Sequence, residues 1–267
     1  MKRLVQKIFS AMGLEVRRKQ PAQVLRATMS GSLRQLSKLG FKPATLIDVG
    51  VAYDTAELYR AFPDAAILLI EPLIEFESSL QKICASRNAS YVLAAAGEKP
   101  GTAVLNVHAD MVGSSLLSEI EGKSIDGAPR SVPDVAIDQV VAERNLQGPY
   151  LMKVDVQGAE LHVLAGATRT LQETEAVILE VSLFGMVIGS PRFFDVVERM
   201  KQYGFVAYDS CGFLYRPLDD ALCQVDMLFV RENGSFRASH AYATPEQREA
   251  MSLTPGPQLA ELENKSS

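Results

Sequence analysis

The chain has 267 residues, of which 47% are hydrophobic and 22% charged, so one large globular domain with decoration or two small domains would fit. The formal net charge of −5 gives no general basic surface, and nucleic-acid binding is therefore not expected. The three cysteines, Cys84, Cys211 and Cys223, lack metal-type spacing, and no apolar run is long enough to cross a bilayer. We expect a cytoplasmic protein with reduced thiols.

Residues 1–42 are basic, with little opposing acid. Apolar residues recur there at helical spacing and predict two helices, the second ending near Gly40. Two interpretations remain open. The helices could cap the core, or the segment could be an amphipathic surface that contacts an anionic membrane or an acidic partner.

Residues 45–55 start as an apolar run and become small and polar, which predicts a buried strand, a tight turn and a helix over 54–61. In an open α/β sheet, a nucleotide-like cofactor usually lies at this turn, although an ordinary corner has the same pattern. Gly50 would let the backbone approach a ligand closely. Because Asp48 and Asp54 add negative charge, the turn suits S-adenosylmethionine, with its sulfonium and ammonium groups, better than a pyrophosphate.

Residues 65–71 predict a second strand, ended by Pro72. Glu71 follows Gly50 by just over twenty residues, a spacing typical of a carboxylate that accepts hydrogen bonds from ribose hydroxyls. An exposed acid at the strand end is the alternative.

A helix over 75–86 and a third strand with its exit turn over 90–97 come next. Small residues at the end of that strand, Ala95 and Ala96, would leave room for a flat ring. An extra strand is expected over 101–107, and residues 108–134 read as a long loop or insertion, of the kind that often acts as a lid.

Residues 150–160 predict another strand whose carboxyl end gathers Asp155, Gln157 and Glu160, followed by a helix over 161–171. His162 on that helix is expected at the surface. The next strand, over 175–182, contains Glu180, and an unpaired buried carboxylate is costly, so Glu180 should be paired or face a cleft.

A helix over 191–203, starting at Ser190 and Pro191, is expected next. Two further strands, over 204–209 and 224–230, are too closely linked for a crossover helix and predict an antiparallel closing pair. We divide the chain into a basic extension (1–42), a main domain (43–235) and a polar tail (236–267).

The segments 48–50, 71–72 and 151–167 together resemble the FkbM family of S-adenosylmethionine-dependent methyltransferases, and the last of them is the most specific match. The resemblance covers roughly residues 45–230. It implies a Rossmann-like α/β class I methyltransferase fold, with a mostly parallel seven-stranded sheet whose last strand is antiparallel. It also implies O-methylation of a hydroxyl on a sugar or another small metabolite. The family turn usually has a second glycine where this chain has Asp54, which puts close backbone approach there in doubt.

The expected cofactor-binding residues are Asp48, Gly50, Val51, Glu71, Pro72, Ala95, Ala96 and Asp155. Asp155 and Glu180 are the candidate catalytic bases. The same two carboxylates could instead share a divalent metal. Two other functions stay open: a nicotinamide-dependent oxidoreductase, disfavoured because the turn lacks the G-x-G-x-x-G glycines, and a non-catalytic module that binds a partner or membrane surface.

Overall fold

The computed structural model describes residues 26–252. The first expected basic helix and the end of the expected tail lie outside these residues. The helices are α1 (Met29–Lys38), α2 (Ala56–Ala61), α3 (Glu77–Ser86), α4 (Lys123–Asp126), α5 (Ile137–Glu143), α6 (Glu160–Ala165), α7 (Phe193–Gln202) and α8 (Pro245–Ser252). The strands are β1 (Thr45–Val49), β2 (Ala66–Glu71), β3 (Ala89–Leu93), β4 (Ala95–Ala96), β5 (Gly101–Val107), β6 (Ala128–Val135), β7 (Tyr150–Val154), β8 (Thr174–Ser182), β9 (Phe205–Tyr215) and β10 (Leu222–Arg231).

The main sheet has seven strands in the order β3-β2-β1-β7-β8-β10-β9. Neighbouring strands from β3 to β8 run parallel, whereas β10 is antiparallel to both β8 and β9. The expected mostly parallel sheet with an antiparallel last strand is thereby confirmed. The direction of the connections reverses between β1 and β7, and α/β folds bind ligands at such a switch point.

Both faces of the sheet are covered, which explains why β1 and β7 consist entirely of buried residues. One face packs against α1, α2 and α3, and the other against α5, α6 and α7. The helix residues in these two layers include Leu33, Leu58, Leu80, Ile137, Leu164 and Val196.

In the described part of the basic extension, α1 caps the core. Leu33 and Leu36 are fully buried, and Thr28 accepts a hydrogen bond from the Gly31 N–H at the start of the helix. Membrane or partner contact by the rest of the extension stays a prediction. Within residues 26–252, no helix is both long and apolar enough to span a bilayer.

The largest departure from the sequence expectation concerns residues 108–134. Their second half forms α4 and most of β6, and β6 joins β4 and β5 in a separate three-stranded sheet. β4 pairs only with Asp134 and Val135, so most of β6 has one free edge. Such an edge tolerates proline, because no neighbouring strand needs the missing N–H there. Pro129 and Pro133 are the reason that the sequence pattern predicted a loop and not a strand.

Other boundaries also differ, and the strand expected over 204–209 extends to Tyr215. The expected third strand divides at Ala94 between the two sheets, into β3 and β4. The helix expected to reach residue 171 ends at Ala165 and is followed by a 3-10 turn, Thr170–Glu173. The helix expected to start at Ser190 and Pro191 begins at Phe193, where the Asp195 carboxylate accepts the Arg192 N–H at 2.8 Å.

Candidate active site

A cleft of about 410 Å³ lies at the carboxyl ends of β1, β2, β7 and β8. This volume is within the range of small-molecule sites, roughly 300–1,000 Å³. The cleft brings together nearly all of the site residues expected from the sequence, namely Gly50, Val51, Glu71, Pro72, Ala95, Ala96, Asp155 and Glu180.

The turn after β1 needs a glycine at position 50 for a reason other than ligand approach. Gly50 has φ +76°, and a Cβ atom there would lie 1.8 Å from the Asp155 carbonyl oxygen. The residue therefore permits close contact between the ends of β1 and β7. Gly50 also lines the cleft, and its expected approach to a ligand stays a prediction.

Glu71 braces the same turn from the end of β2. Its Oε2 accepts the Ala52 N–H at 2.9 Å, and its Oε1 accepts the Leu73 N–H at 2.9 Å. Ala52 has φ +49°, so these bonds hold a left-handed alanine in place. Burial raises the pKa of Glu71, and the backbone donors act in the opposite direction. A carboxylate has about four acceptor sites, so Glu71 keeps capacity for a ligand hydroxyl.

The backbone at position 54 does not require the glycine that the family pattern has there. The φ angle of Asp54 is not positive, and its Oδ1 accepts the Ala56 N–H at 3.1 Å, at the start of α2. The exposed carboxylate lines the mouth of the cleft beside Tyr53 and Thr55.

Asp48 lies beneath the cleft and does not line it, which departs from its expected cofactor contact. The residue is fully buried and accepts a short hydrogen bond from the Tyr59 hydroxyl. Its other oxygen, Oδ1, has no hydrogen-bond partner and lies 3.7 Å from Lys153 Nζ. Burial raises the pKa of Asp48, against the effect of Lys153 and Tyr59.

Lys153 connects the buried acid to the cleft. Its Nζ lies 3.3 Å from Asp155 Oδ2 and 3.4 Å from the Gly50 carbonyl oxygen. Burial acts to lower the pKa of Lys153, but Asp155 and Asp48 outweigh it and raise the pKa above its usual value. The lysine therefore stays charged and fixes both carboxylates.

Asp155 and Glu180 lie side by side because β7 and β8 are parallel and pair Val154 with Leu179. The Gln157 Nε2 donates to both carboxylates, at 2.9 Å to Asp155 Oδ1 and 3.0 Å to Glu180 Oε2. Burial raises the pKa of Glu180 well above its usual value, and Asp155 raises it further.

Glu160, expected beside Asp155, points into the protein and organises the turn after β7. Its Oε1 accepts the Val156 and Gly158 N–H groups at 3.2 and 3.0 Å. Burial raises the pKa of Glu160 to about 7, against those backbone donors. His162, two residues further along the chain, is exposed, which confirms the surface position expected.

Part of the 108–134 segment covers the cleft, where Met111, Ser114 and Leu116 contribute lining atoms. The Ser115 hydroxyl donates to the Gln157 carbonyl oxygen at 2.7 Å, and Glu119 forms an antiparallel bridge with Val187. The segment is thus fastened to the loop that follows β8, which supports the expected lid position.

A metal shared by Asp155 and Glu180 finds no support in the part of the chain that the structure describes. No group of three or more His, Cys, Asp or Glu side chains there has the geometry to hold an ion. The space between the two carboxylates is instead occupied by the Gln157 amide.

Sequence reasoning missed three side chains that shape the site: Lys153, Tyr59 and Gln224. A lysine inside an apolar strand was a usable signal, because a buried cation needs a buried anion. Tyr59 and Gln224 gave no comparable signal, since only the tertiary structure brings them to Asp48 and Glu180.

The family model described as "Methyltransferase FkbM domain" matches residues 48–207, which contain every residue of the cleft. The chain belongs to the FkbM methyltransferase family. It is an S-adenosylmethionine-dependent methyltransferase with a Rossmann-like class I fold, as the order of its main sheet also indicates. No curated protein matches the chain.

Solved structures with similarity to this methyltransferase are distant. A precorrin-6y C5,15-methyltransferase from Geobacter metallireducens GS-15 is 12% identical, with 79% of this chain and 92% of that one covered and a TM-score of 0.42. The magnesium protoporphyrin IX methyltransferase from Synechocystis PCC 6803, solved with bound S-adenosylmethionine, is 11% identical, with 86% and 96% covered and a TM-score of 0.41. The fibrillarin pre-rRNA processing protein from Methanococcus jannaschii is 12% identical, with 72% and 67% covered and a TM-score of 0.43.

Proposed function

We propose that this enzyme methylates a hydroxyl oxygen of a small, uncharged acceptor, such as a sugar or another hydroxylated metabolite. The observation that carries the proposal is the pair of carboxylates, Asp155 and Glu180, held together at one end of the cleft. A carboxylate can remove the proton of a hydroxyl group as it is methylated. Two neighbouring negative groups also disfavour an anionic acceptor.

The residues of the cleft fit S-adenosylmethionine. Glu71 presents a buried carboxylate to ribose hydroxyls, and the turn at Gly50 and Val51 would hold the methionine part. Ala95 and Ala96 are small and nearly fully buried, so the cleft wall there leaves room for the adenine ring. When bound, the cofactor supplies an electrophilic methyl group. The protein contributes mainly by orienting the acceptor toward it.

Calorimetric titration with S-adenosylmethionine and S-adenosylhomocysteine tests the cofactor part. We expect saturable micromolar binding that is lost in Glu71→Ala and retained in Glu98→Ala, a matched change of an exposed glutamate outside the cleft. Tritiated S-adenosylmethionine and a panel of neutral sugars, polyols and phenols then test the acceptor. Transfer only to amines or to phosphorylated compounds would contradict O-methylation of an uncharged acceptor.

A further inference from the structure

The two carboxylates of the cleft differ in how their oxygens are used. Both oxygens of Asp155 have a donor: Oδ1 accepts the Gln157 amide at 2.9 Å, and Oδ2 lies 3.3 Å from the charged Lys153 amine. The ion pair with Lys153 directs Asp155 Oδ2 toward the protein. Neither oxygen is left without a protein partner.

In Glu180, both donors are on the same oxygen. Oε2 accepts the Gln157 amide at 3.0 Å and the Gln224 amide at 2.9 Å. Oε1 accepts no hydrogen bond from the described residues, and it is not among the buried atoms that lack a partner. Since Glu180 lines the cleft, this second oxygen is open to a bound molecule.

We propose that Glu180 Oε1 takes the proton from the acceptor hydroxyl, and that Gln157 and Gln224 are positioning residues that turn this oxygen toward the cleft. The inference rests on the proposed O-methylation and assigns its base. As the acceptor oxygen bonds to the methyl carbon, the carbon–sulfur bond breaks with its electron pair on sulfur. The hydroxyl proton passes to Glu180 and afterwards to solvent.

The surroundings of Glu180 agree with this role. It faces Lys153 on β7, Asp155 just after that strand, Glu160 at the start of α6, and Asp226, its register partner on β10. Three of these four groups are acidic, and together with burial they make Glu180 a stronger base than an ordinary carboxylate. The two amides act in the opposite direction, because they donate to the charged form.

The first test compares Glu180→Gln with Glu175→Gln, which changes a glutamate at the other end of the same strand. S-adenosylhomocysteine affinity should stay within about threefold of wild type in both variants. Methyl transfer from tritiated S-adenosylmethionine to the neutral hydroxyl panel should fall about 10²- to 10⁴-fold in Glu180→Gln only, the usual contribution of a general base. Equal rates in Glu180→Gln and wild type would overturn the assignment.

The second test needs no acceptor. The infrared carbonyl band of protonated Glu180 is isolated as the difference between wild type and Glu180→Gln, and is followed across pH. Its midpoint should rise by about one pH unit in Gln224→Met, which loses a donor to the carboxylate, and should fall in Asp155→Asn, which loses a neighbouring negative charge. A midpoint unmoved in both variants would overturn the assignment.

The outcomes separate the two proposals. If wild type binds neither S-adenosylmethionine nor S-adenosylhomocysteine, the proposed function fails, whatever the infrared midpoints are. The choice of base alone fails under a different set of results. Wild type then binds both ligands and methylates a hydroxyl, Asp155→Asn loses as much methyl transfer as Glu180→Gln, and the infrared titration midpoint is the same in Gln224→Met as in wild type.

Discussion

Replacing Gly50 by alanine tests whether the site depends on close contact between the ends of β1 and β7. The new Cβ would lie 1.8 Å from the Asp155 carbonyl oxygen, so the backbone of one strand end must move. The left-handed backbone alone costs an alanine roughly 1–2 kcal/mol, and overpacking adds about 1–3 kcal/mol. Alanine also lowers the conformational entropy of the unfolded chain relative to glycine, which offsets about 0.4–1 kcal/mol of this loss of stability.

Gly40→Ala is the matched control, because Gly40 has φ +91° and a Cβ atom there would have nothing within 4 Å. Gly40→Ala strains the backbone but brings no atoms into collision, so we expect it to lower the free energy of unfolding by about 1 kcal/mol. The corresponding loss for Gly50→Ala should be about 3 kcal/mol. Urea unfolding measures both values. Gly50→Ala should also weaken S-adenosylhomocysteine binding at least tenfold, since Asp155 shifts. Equal losses of stability in the two variants would refute the reasoning.

Three further changes probe the buried polar groups. Folding raises the pKa of Glu160 from 4.5 to about 7, so the folded chain binds more protons than the unfolded chain between these pH values. As pH rises through this interval, wild type should therefore lose up to about 3 kcal/mol of stability relative to Glu160→Gln. Urea unfolding at several pH values measures this, and Glu98→Gln should show no such trend. Glu71→Gln places an amide N–H against a backbone N–H, and calorimetry should show S-adenosylhomocysteine affinity reduced at least tenfold, with Glu98→Gln unchanged. Tyr59→Phe removes the hydroxyl that donates to the buried Asp48 and should cost about 1.5–3 kcal/mol of stability in urea unfolding. Tyr91→Phe should cost less, because the Tyr91 hydroxyl donates to the half-buried Glu77. Equal costs in the two variants would count against a charged form of Asp48.

The strands that build the site could be predicted because their sequences are nearly continuous apolar runs that end in an acid. Such a run fixes both the burial of the strand and the sheet edge at which its last side chain lies. Glu71 and Asp155 were found in this way, whereas Glu180 was found because an unpaired carboxylate inside a buried strand is costly. The structure places all three around one cleft. Chain order then sufficed to predict the antiparallel closing pair.

The remaining features depend on contacts between segments distant in sequence. Asp48 and Glu71 both lie near the carboxyl end of a strand, but Asp48 pairs with Leu69 and so lies two residues lower in the sheet than Glu71. Asp48 is buried and bonded to Tyr59, whereas Glu71 lines the cleft. Gln224 reaches Glu180 only because β10 runs antiparallel to β8 with a particular register. No local pattern encodes these pairings. The lid segment was recognisable by its irregularity, but its strand was concealed by prolines.

The same register explains how a buried sheet can carry a charged site. Residues two apart on a strand face the same side, so each of four strands changes from core to site within two residues. On each strand an apolar residue packs against α1, α2 and α3, and the charged residue follows it by two positions or, on antiparallel β10, precedes it by two. The change lies at one level on β1 and β7 and two residues further on β8 and β10, because Lys153 pairs with Ile178. These successive pairs are Leu46 and Asp48, Leu151 and Lys153, Ile178 and Glu180, and Leu228 and Asp226.

Among these four charged side chains, Lys153 is the cation and the other three are acids, and a further acid, Asp155, directly follows β7. Because burial and mutual repulsion raise the pKa of Glu180 and bring that of Asp226 to about 6, these two residues destabilise the fold as pH rises. The apolar residues that lie two positions from the charged ones, in the core, must offset that cost. Stability and basicity therefore oppose each other at the same residues, and perturbed carboxylates of this kind are frequent at functional sites.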